Sequence, residues 1–344
     1  MKQQIIDLWK ISFGDPDEFI QLYFDRVYQD ENTFVINQNG RIVSALQILP
    51  FEMTYCGTTI PVGYICGVCT LPSEQGKGFM KQLMFMALEE MHKRDYALAI
   101  LIPASSWLFD YYRRFDFANA FDYSIEEISR NNPPANQPNN QLNNPTKRLS
   151  MNPVSGLRIL SLENLSPDTV YAYFRKKQCE RSMSVLHSAC QFETICLDWT
   201  LGKGEIWMAF TNERPVGLAF TMFSTNESLT IREIMVENEA TKNALVQAIL
   251  DHYQLPTAKL RLPPTLPNSI PYGMARVINK EKMIELYRSS LGGGEGSRFK
   301  VVQGSRFKVQ GSNLPDFADT NISSLTQILL KYEQRQAFMN LMMD

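Results

Sequence analysis

The stretch that most constrains the fold is LPSEQGKGFMKQLM, residues 71–84, which joins a strand pattern to a helix pattern. The apolar run VGYICGVCTL before it is typical of a buried strand, and the apolar residues after it recur with helical spacing at Met80, Leu83, Met84, Ala87, Leu88 and Met91. Gly76 and Gly78 stand at the junction. Unpaired amides and the helix dipole attract anions at a helix N-terminus. The stretch therefore predicts an anion-binding loop within an α/β fold.

Two common phosphate loops do not fit this stretch. A Walker loop ends in Gly-Lys-Ser/Thr, but Lys77 is followed by Gly78 and Phe79, which provide no hydroxyl for magnesium. A dinucleotide fingerprint needs a third glycine and follows the first strand of a βαβ unit. Here that glycine is missing, and three strand patterns precede the loop.

The first 128 residues predict one α/β domain. Two helices over residues 4–29, separated at Gly14 with Asp15 as a cap, precede three strands whose turns lie at Asn39-Gly40 and Cys56-Gly57. After the glycine loop and its helix come the strand YALAILIP, the short helix SSWLFDYYRRF and the strand NAFDYSIEEI. This order is strand, strand, strand, helix, strand, helix, strand.

The rest of the chain divides into three parts. Residues 129–155 contain an Asn/Pro run that predicts a linker or an exposed loop. Residues 156–266 repeat strand, strand, strand, helix, strand without a glycine loop, which indicates a degenerate copy of the first domain. Residues 267–344 predict a small third domain. Its echo GSRFKV, at 296–301 and 304–309, favours an amphipathic hairpin over a nucleic-acid site.

The glycine stretch resembles the pyrophosphate loop of the GNAT acetyltransferases. That loop has the pattern Gln/Arg-x-x-Gly-x-Gly/Ala, after a strand and a proline and before the central helix. In VCTLPSEQGKGFM, Pro72, Gln75 and Gly78 match the pattern, and Met80 stands where glycine or alanine is usual.

A second segment, SSWLFDYYRRFDF, is similar to the GNAT helix that ends in Tyr-x-x-x-Gly-Phe. Tyr112 stands five residues before Phe117, and Asp116 replaces the glycine. The segment and the opening LWKISFGDPDEFIQLYF are closest to Eis-like acetyltransferases. Such chains have an active GNAT domain, a degenerate GNAT domain and a sterol-carrier-like domain, here residues 1–128, 156–266 and 267–344.

This resemblance implies a fold, a co-substrate and site residues. The fold is α/β (α+β), with a mixed central sheet flanked by helices, and the co-substrate is acetyl-coenzyme A without a metal. The cofactor-binding positions are Val68, Thr70, Gln75, Gly76, Lys77, Gly78, Phe79 and Met80. Backbone groups of Val68 and Thr70 hold the pantetheine arm, and amides of residues 75–79 hold the pyrophosphate above the Met80 side chain. Tyr112 protonates the leaving thiolate, with Tyr111 as the neighbouring alternative.

The sequence gives less information about the general base and the amine that accepts the acetyl group. The resemblance implies that the α-carboxyl of Asp344 acts as the base, and a frayed terminus is the alternative, although the apolar tail FMNLMM should be buried. A small cationic amine or a lysine side chain is the expected acceptor. Asp15, Asp17 and Glu18 either form an anionic rim for it or are simply solvated. A non-catalytic acetyl-CoA or lipid binding protein on the same scaffold remains the alternative function.

The net charge and the cysteines limit the partners and the kinds of site that we expect. A net charge of −2 gives no reason to expect nucleic acid or a membrane surface. No apolar run approaches about 18 residues, so we expect a cytoplasmic chain without a membrane span. Cys66 and Cys69 have Cys-x-x-Cys spacing, but on a strand they should point to opposite faces, which favours buried thiols over a redox or metal site. The resemblance also implies a homo-oligomer.

Overall fold

The computed structural model describes residues 1–130, 150–152, 157–161, 165–224, 228–265, 267–291, 317, 319–334 and 337–342. Its helices are α1 Lys2–Phe13, α2 Asp17–Arg26, α3 Phe79–Lys93, α4 Ser106–Arg113, α5 Pro167–Glu180, α6 Ala189–Leu201, α7 Glu239–Tyr253, α8 Lys280–Leu291 and α9 Ile322–Leu329. Most of the predicted linker, both GSRFKV segments and Asp344 lie outside the described residues.

The strands are β1 Thr33–Gln38, β2 Arg41–Tyr55, β3 Thr58–Thr70, β4 Leu98–Leu101, β5 Ala118–Ser129, β6 Ser150–Asn152, β7 Leu157–Ser161, β8 Val185–Leu186, β9 Glu205–Thr211, β10 Arg214–Phe223, β11 Leu229–Val236, β12 Thr257–Leu262 and β13 Ile270–Val277. Within the described ranges they form one mixed sheet in the order β1-β2-β3-β4-β13-β5-β12-β11-β10-β9-β7-β6, with β8 paired to β2. A mixed sheet flanked by helices confirms the expected fold class.

The second half of the sheet repeats the connections of the first. Strands β1, β2 and β3 are antiparallel, and β4 returns parallel to β3 after α3. Strands β9, β10 and β11 are likewise antiparallel, and β12 returns parallel to β11 after α7. Local turn chemistry fixes the meander of the first half, since Asn39-Gly40 and Cys56-Gly57 all have positive φ, as tight hairpin turns require.

The two halves exchange strands at the centre of the sheet. Strand β13 lies between β4 and β5 and is antiparallel to both. Strand β5 in turn pairs with β12 of the second half. The described part of residues 267–344 is thus built into the core of the first half, where Leu325 and Leu329 pack with Met53 and Tyr55. The likeness to a sterol-carrier domain stays a prediction.

Helices cover both faces of the first half because β2 alternates its side chains. Leu46 and Ile48 pack under α3 and α4, together with Leu83 and Met84. Ala45 packs on the opposite face against α1 and α2. The C-terminal segment also covers that second face, and its apolar residues are buried as expected, at 5% exposure for Phe338, 1% for Met339, 6% for Leu341 and 4% for Met342.

One expectation about a helix was wrong, and one helix was not predicted. Asp15 does not cap α2, whose N-cap residue is Pro16, because the Asp15 carboxylate instead accepts a hydrogen bond from the Trp9 indole at 2.7 Å. Helix α6 was not predicted, although Ser188 and Gln191 form a capping box at its start. No helix among the described residues is long and apolar enough to cross a membrane.

Candidate functional site

The glycine loop holds its backbone open at the start of α3. Gly76 has φ +78° and Gly78 has φ +84°, a conformation that glycine adopts without strain. Gly78 is the N-cap residue, and no side chain within the described part of the chain caps the helix. The first amide to donate within the helix is that of Gln82, to the Gly78 carbonyl at 3.1 Å. Among the residues described, the amides of residues 76–81 have no acceptor, so they remain available to an anion.

The Gln75 amide, which was predicted to bind the pyrophosphate, already has an acceptor within the protein. The Gln75 amide donates to the Pro72 carbonyl at 3.4 Å, closing a short turn of 3-10 helix. The Gln75 side chain donates to the Thr70 carbonyl, also at 3.4 Å. Gln75 thus orders the loop, and the open amides begin one residue later.

Charge around the loop is mixed. The first turn of α3 contains no acidic residue, which leaves the positive end of the helix dipole uncompensated. Lys77 pairs with Glu74 at 2.8 Å, and its side chain is half exposed. Val68 and Met80 are partly buried and pack against the cluster beneath α3 and α4. The Met80 side chain therefore forms part of an apolar floor at the loop.

An opening in the sheet lies beside this loop. Strand β3 pairs with β4 only over Val62–Tyr64, and residues 65–70 continue past that pairing. On the other side of β4, strand β13 pairs with it only from Met274 onward, so residues 270–273 also run free of β4. The free lengths of β3 and β13 therefore face one another across a cleft with the end of β4 at its base.

A bulge shapes the β3 wall of this cleft. The pairing of β2 with β3 shifts between Ala45 and Gln47, and Gly67 adopts φ +58° there. Tyr23 donates from its hydroxyl to the Gln47 amide oxygen at 3.1 Å and contacts the Cys66 sulfur at 3.2 Å. The buried Gln47 amide nitrogen has no hydrogen-bond partner in the described structure.

The bulge also corrects the prediction for the cysteines. The extra residue brings Cys66 and Cys69 to the same side of β3, where both pack against the α1–α2 cluster. Burial raises the pKa of each thiol to about 12, so both are protonated at neutral pH. Both thiols are free, and the residues described contain no group of three or more His, Cys, Asp or Glu that could hold a metal ion.

Tyr112 lies at the end of α4, in the cluster beneath α3. It is 5% exposed, and burial raises the pKa of its phenol well above the usual value. Its hydroxyl makes no hydrogen bond to any described residue, whereas its carbonyl accepts from the Phe117 amide at 3.4 Å. Tyr111, the alternative, is less buried and packs edge-on against Tyr112.

Asp116 takes the backbone role of the glycine that it replaces. It has φ +59°, the left-handed conformation that commonly ends a helix. Its carboxylate lies 3.7 Å from the Arg276 guanidinium. The substitution therefore preserves the turn that positions Tyr112.

A cavity lies on the face opposite α3, between α2, α6 and the C-terminal segment. Its volume is about 240 Å³, and its wall includes Phe51, Tyr64, His187 and Leu341. Tyr64 is the last β3 residue paired with β4, which places the cavity next to the base of the cleft. Sequence reasoning missed His187, although a histidine beside the capping box of α6 was a visible signal.

The acidic residues of the first interhelix turn are elsewhere. Asp15 is bound to Trp9, Asp17 pairs with Lys10 at 2.6 Å, and neither carboxylate lines the cavity. Because Trp9 and Lys10 bind these two carboxylates locally, the structure does not favour an anionic rim for the acceptor.

Comparison with known proteins agrees with this geometry. Residues 2–120 match the family model described as acetyltransferase (GNAT) domain. A conserved protein of unknown function from Enterococcus faecalis V583, titled a probable N-acyltransferase, has a TM-score of 0.64 at 16% identity, over 83% of this chain and 72% of its own. A GCN5-related N-acetyltransferase from Anabaena variabilis has a TM-score of 0.63 at 16% identity, over 83% of this chain and 72% of its own.

A third similar structure is Eis1 from Mycobacterium abscessus, with a TM-score of 0.61 at 12% identity, over 83% of this chain and 73% of its own. No curated protein matches the chain. At these identities the likeness shows the fold. The chain therefore has a GNAT fold, and the match over its first 120 residues supports acyl transfer from an acyl-CoA.

Proposed function

We propose that this chain transfers an acetyl group from acetyl-coenzyme A to a primary amine, by direct attack within a ternary complex. The observation that carries the proposal is the row of open amides at residues 76–81, beside a cleft where β3 and β13 separate. Such amides bind phosphate groups, and such a cleft accepts an extended chain through unpaired strand edges.

The coenzyme occupies these two features together. Its diphosphate binds the open amides, with Lys77 as an outer charge shared with Glu74. Its pantetheine arm lies along β3, where backbone groups of Val68 and Thr70 hold it. The thioester then lies near the Gly67 bulge, at the depth where β4 ends.

Tyr112 is the proton donor to the leaving thiolate. Because burial keeps the phenol protonated, Tyr112 carries a proton to donate at neutral pH. The amine nitrogen attacks the thioester carbon, the carbon–sulfur bond breaks, and the sulfur receives the phenolic proton. The acylated nitrogen, now positively charged, passes a proton to the Tyr112 phenolate, which restores the phenol and leaves a neutral amide. No cysteine is needed as a nucleophile, in keeping with the raised pKa values of Cys66 and Cys69.

The base is the α-carboxyl of Asp344, which lies outside the described residues. Met342, two residues earlier, is 4% exposed and packs in the cluster that contains Tyr64 and Ile100, at the base of the cleft. A free amine with a pKa near ~10.4 is mostly protonated at neutral pH, so a carboxylate must accept a proton before attack.

The finer relationship is to Eis-like enzymes with a sterol-carrier-like third domain and a symmetric oligomer. The buried C-terminal segment, which packs against the first half, supports the Eis-like part of this assignment. Light scattering of the full chain measures the assembly directly, and a monomer at all concentrations would remove that part of the proposal.

Two measurements test the function. Calorimetry with acetyl-coenzyme A measures binding, and mass spectrometry of an amine panel detects acetylated product. Binding followed by acetylation of at least one amine is expected. Absence of binding would refute the proposal, whereas binding without any product would point to a non-catalytic acetyl-CoA binding protein.

A further inference from the structure

The cavity opposite α3 is positioned to receive the acceptor. It lies across the sheet from the coenzyme loop and is walled at one end by Tyr64, where β3 and β4 last pair. Leu341 forms another part of the wall, so the C-terminal segment borders the same space. An amine held there would reach the cleft from the face that the coenzyme leaves open.

The size of the cavity limits the acceptor. A cavity of about 150 Å³ holds benzene, and pockets for drug-sized ligands occupy about 300–1,000 Å³. At about 240 Å³, this cavity fits one ring with a short side chain. A molecule of several rings would have to remain mostly outside it.

The charge of the wall disfavours a polycation. No Asp or Glu is among the described residues that line the cavity. The one charged lining residue is Arg26, which pairs with Glu193 at 3.4 Å near the mouth. A ligand with several positive charges would lose hydration here without gaining a carboxylate partner from these residues.

Aromatic side chains define the interior of the cavity. Phe51 packs edge-on against both Tyr64, with ring centres 6.1 Å apart, and His187, at 5.4 Å. Such rings favour an aromatic guest through stacked or edge contacts. The Phe51 ring, partly buried, is the centre of this set.

His187 presents its ring to the cavity rather than a hydrogen-bond donor. The Gln178 amide oxygen accepts from the His187 backbone amide at 3.1 Å, which directs the Gln178 side-chain nitrogen toward His187 Nδ1 at 2.8 Å. Nδ1 therefore accepts, and the neutral ring carries its proton on Nε2. Nε2 is buried against the backbone of Leu341, so a ligand in the cavity meets the ring of His187 and not its N–H group.

We propose that the acceptor is a primary arylalkyl monoamine, whose ring occupies this cavity against Phe51 and Tyr64. The proposal rests on the proposed function, and it names the substrate class of that site. The amine lies at the cleft end of the ligand, and the ring lies at the His187 end.

The test compares four amines with the full-length chain: tyramine, phenethylamine, spermidine and kanamycin. Product is measured by mass spectrometry, because the exposed thiols of Cys179 and Cys190 would disturb a thiol assay. We expect kcat/KM for tyramine to exceed that for spermidine and kanamycin at least tenfold. Phenethylamine should match tyramine within about threefold, because the cavity binds the ring and not its oxygen.

A matched pair of variants tests the place of binding. Cys190→Trp adds bulk at an exposed residue of the cavity wall, whereas Cys179→Trp adds it at an exposed cysteine outside the wall. Calorimetric affinity for tyramine should fall at least tenfold in the first variant and remain within twofold in the second. Acetyl-coenzyme A affinity should be unchanged in both.

The outcomes separate the two proposals. Preference for spermidine or kanamycin, or equal loss of tyramine binding in both tryptophan variants, would overturn the monoamine assignment and leave acetyl transfer intact. Tyramine binding that depends on Cys190, with no acetylated product from any of the four amines, would instead uphold the cavity and refute the proposed function.

Discussion

A single methyl group at Gly67 should disturb the bulge that shapes the cleft. In Gly67→Ala, the added Cβ would lie 2.7 Å from the Trp9 ring and 3.2 Å from the Gln47 amide nitrogen. The Trp9 ring has little freedom to move, because its indole donates to Asp15 at 2.7 Å. It also packs against the rings of Phe13, Tyr23 and Phe24, with ring centres between 4.6 and 5.5 Å away.

Two terms give the size of the effect. The left-handed backbone at φ +58° costs a non-glycine residue about 1–2 kcal/mol. Overpacking against a fixed ring costs a further ~1–3 kcal/mol, so the free energy of unfolding should fall by about 2–5 kcal/mol. With an unfolding entropy of about 2.1 cal/mol/K per residue over 344 residues, the thermal midpoint should fall by roughly 3–7 °C.

Gly57→Ala is the matched control. Gly57 also has a positive φ, +76°, but no atom of the described residues lies within 4 Å of an added Cβ. Gly57→Ala should lower the free energy of unfolding only by the backbone cost, about 1–2 kcal/mol, and the thermal midpoint by roughly 1–3 °C. Differential scanning calorimetry of the two variants measures the difference. Equal shifts would show that Trp9 yields without cost and would refute the packing argument.

Three further predictions concern the site. Tyr112→Phe should lower product formation at least ~100-fold without changing acetyl-coenzyme A affinity, because it removes the proton donor, while Tyr111→Phe should change product formation less than about tenfold. Truncation after Met342 should lower turnover more than about tenfold, since it moves the terminal carboxylate two residues back from its expected place in the site. Burial lowers the pKa of His187 to about 4 in the folded chain. The neutral imidazole therefore stabilises the folded state fully above the pKa that His187 has in the unfolded chain, and this stabilisation is lost as the pH falls toward 4. Unfolding free energy should fall by about 1–2 kcal/mol between pH 6.5 and 5 from this residue, measured by denaturant titration against His187→Leu.

Each of these has an outcome that counts against it. Equal activity of Tyr112→Phe and the parent chain would remove the phenol from the reaction. Full turnover after the truncation would exclude the terminal carboxylate as base. A His187→Leu variant with the same pH dependence as the parent would show that other groups cause the loss of stability.

Local patterns predicted much of the fold. The apolar spacing from Met80 to Met91 predicted α3, and its last buried position is Met91, as expected from a helix of this length. The turn at Asn39-Gly40 predicted the first hairpin because few other residues adopt its backbone. The two glycines of the loop predicted the open backbone before α3, where the structure places it.

What the sequence did not reveal depends on pairing at long range. The place of β13 between β4 and β5 joins residues some 150–180 positions apart, and no periodicity encodes that pairing. The bulge at Gly67 was within reach, since a glycine inside a strand often marks one, but its effect on Cys66 and Cys69 was not foreseen. The cavity at His187 arises only where α2, α6 and the C-terminal segment meet.

The central exchange of strands makes each half incomplete without the other. A fragment ending at residue 128 would lack β13, so β4 and β5 would face each other across an unfilled gap with their hydrogen-bonding edges bare. The segment that carries the glycine loop should therefore not fold on its own. A mutation that loosens the second half should disturb the cleft beside this loop, because β12 pairs with β5, β5 pairs with β13, and β13 forms one wall of the cleft.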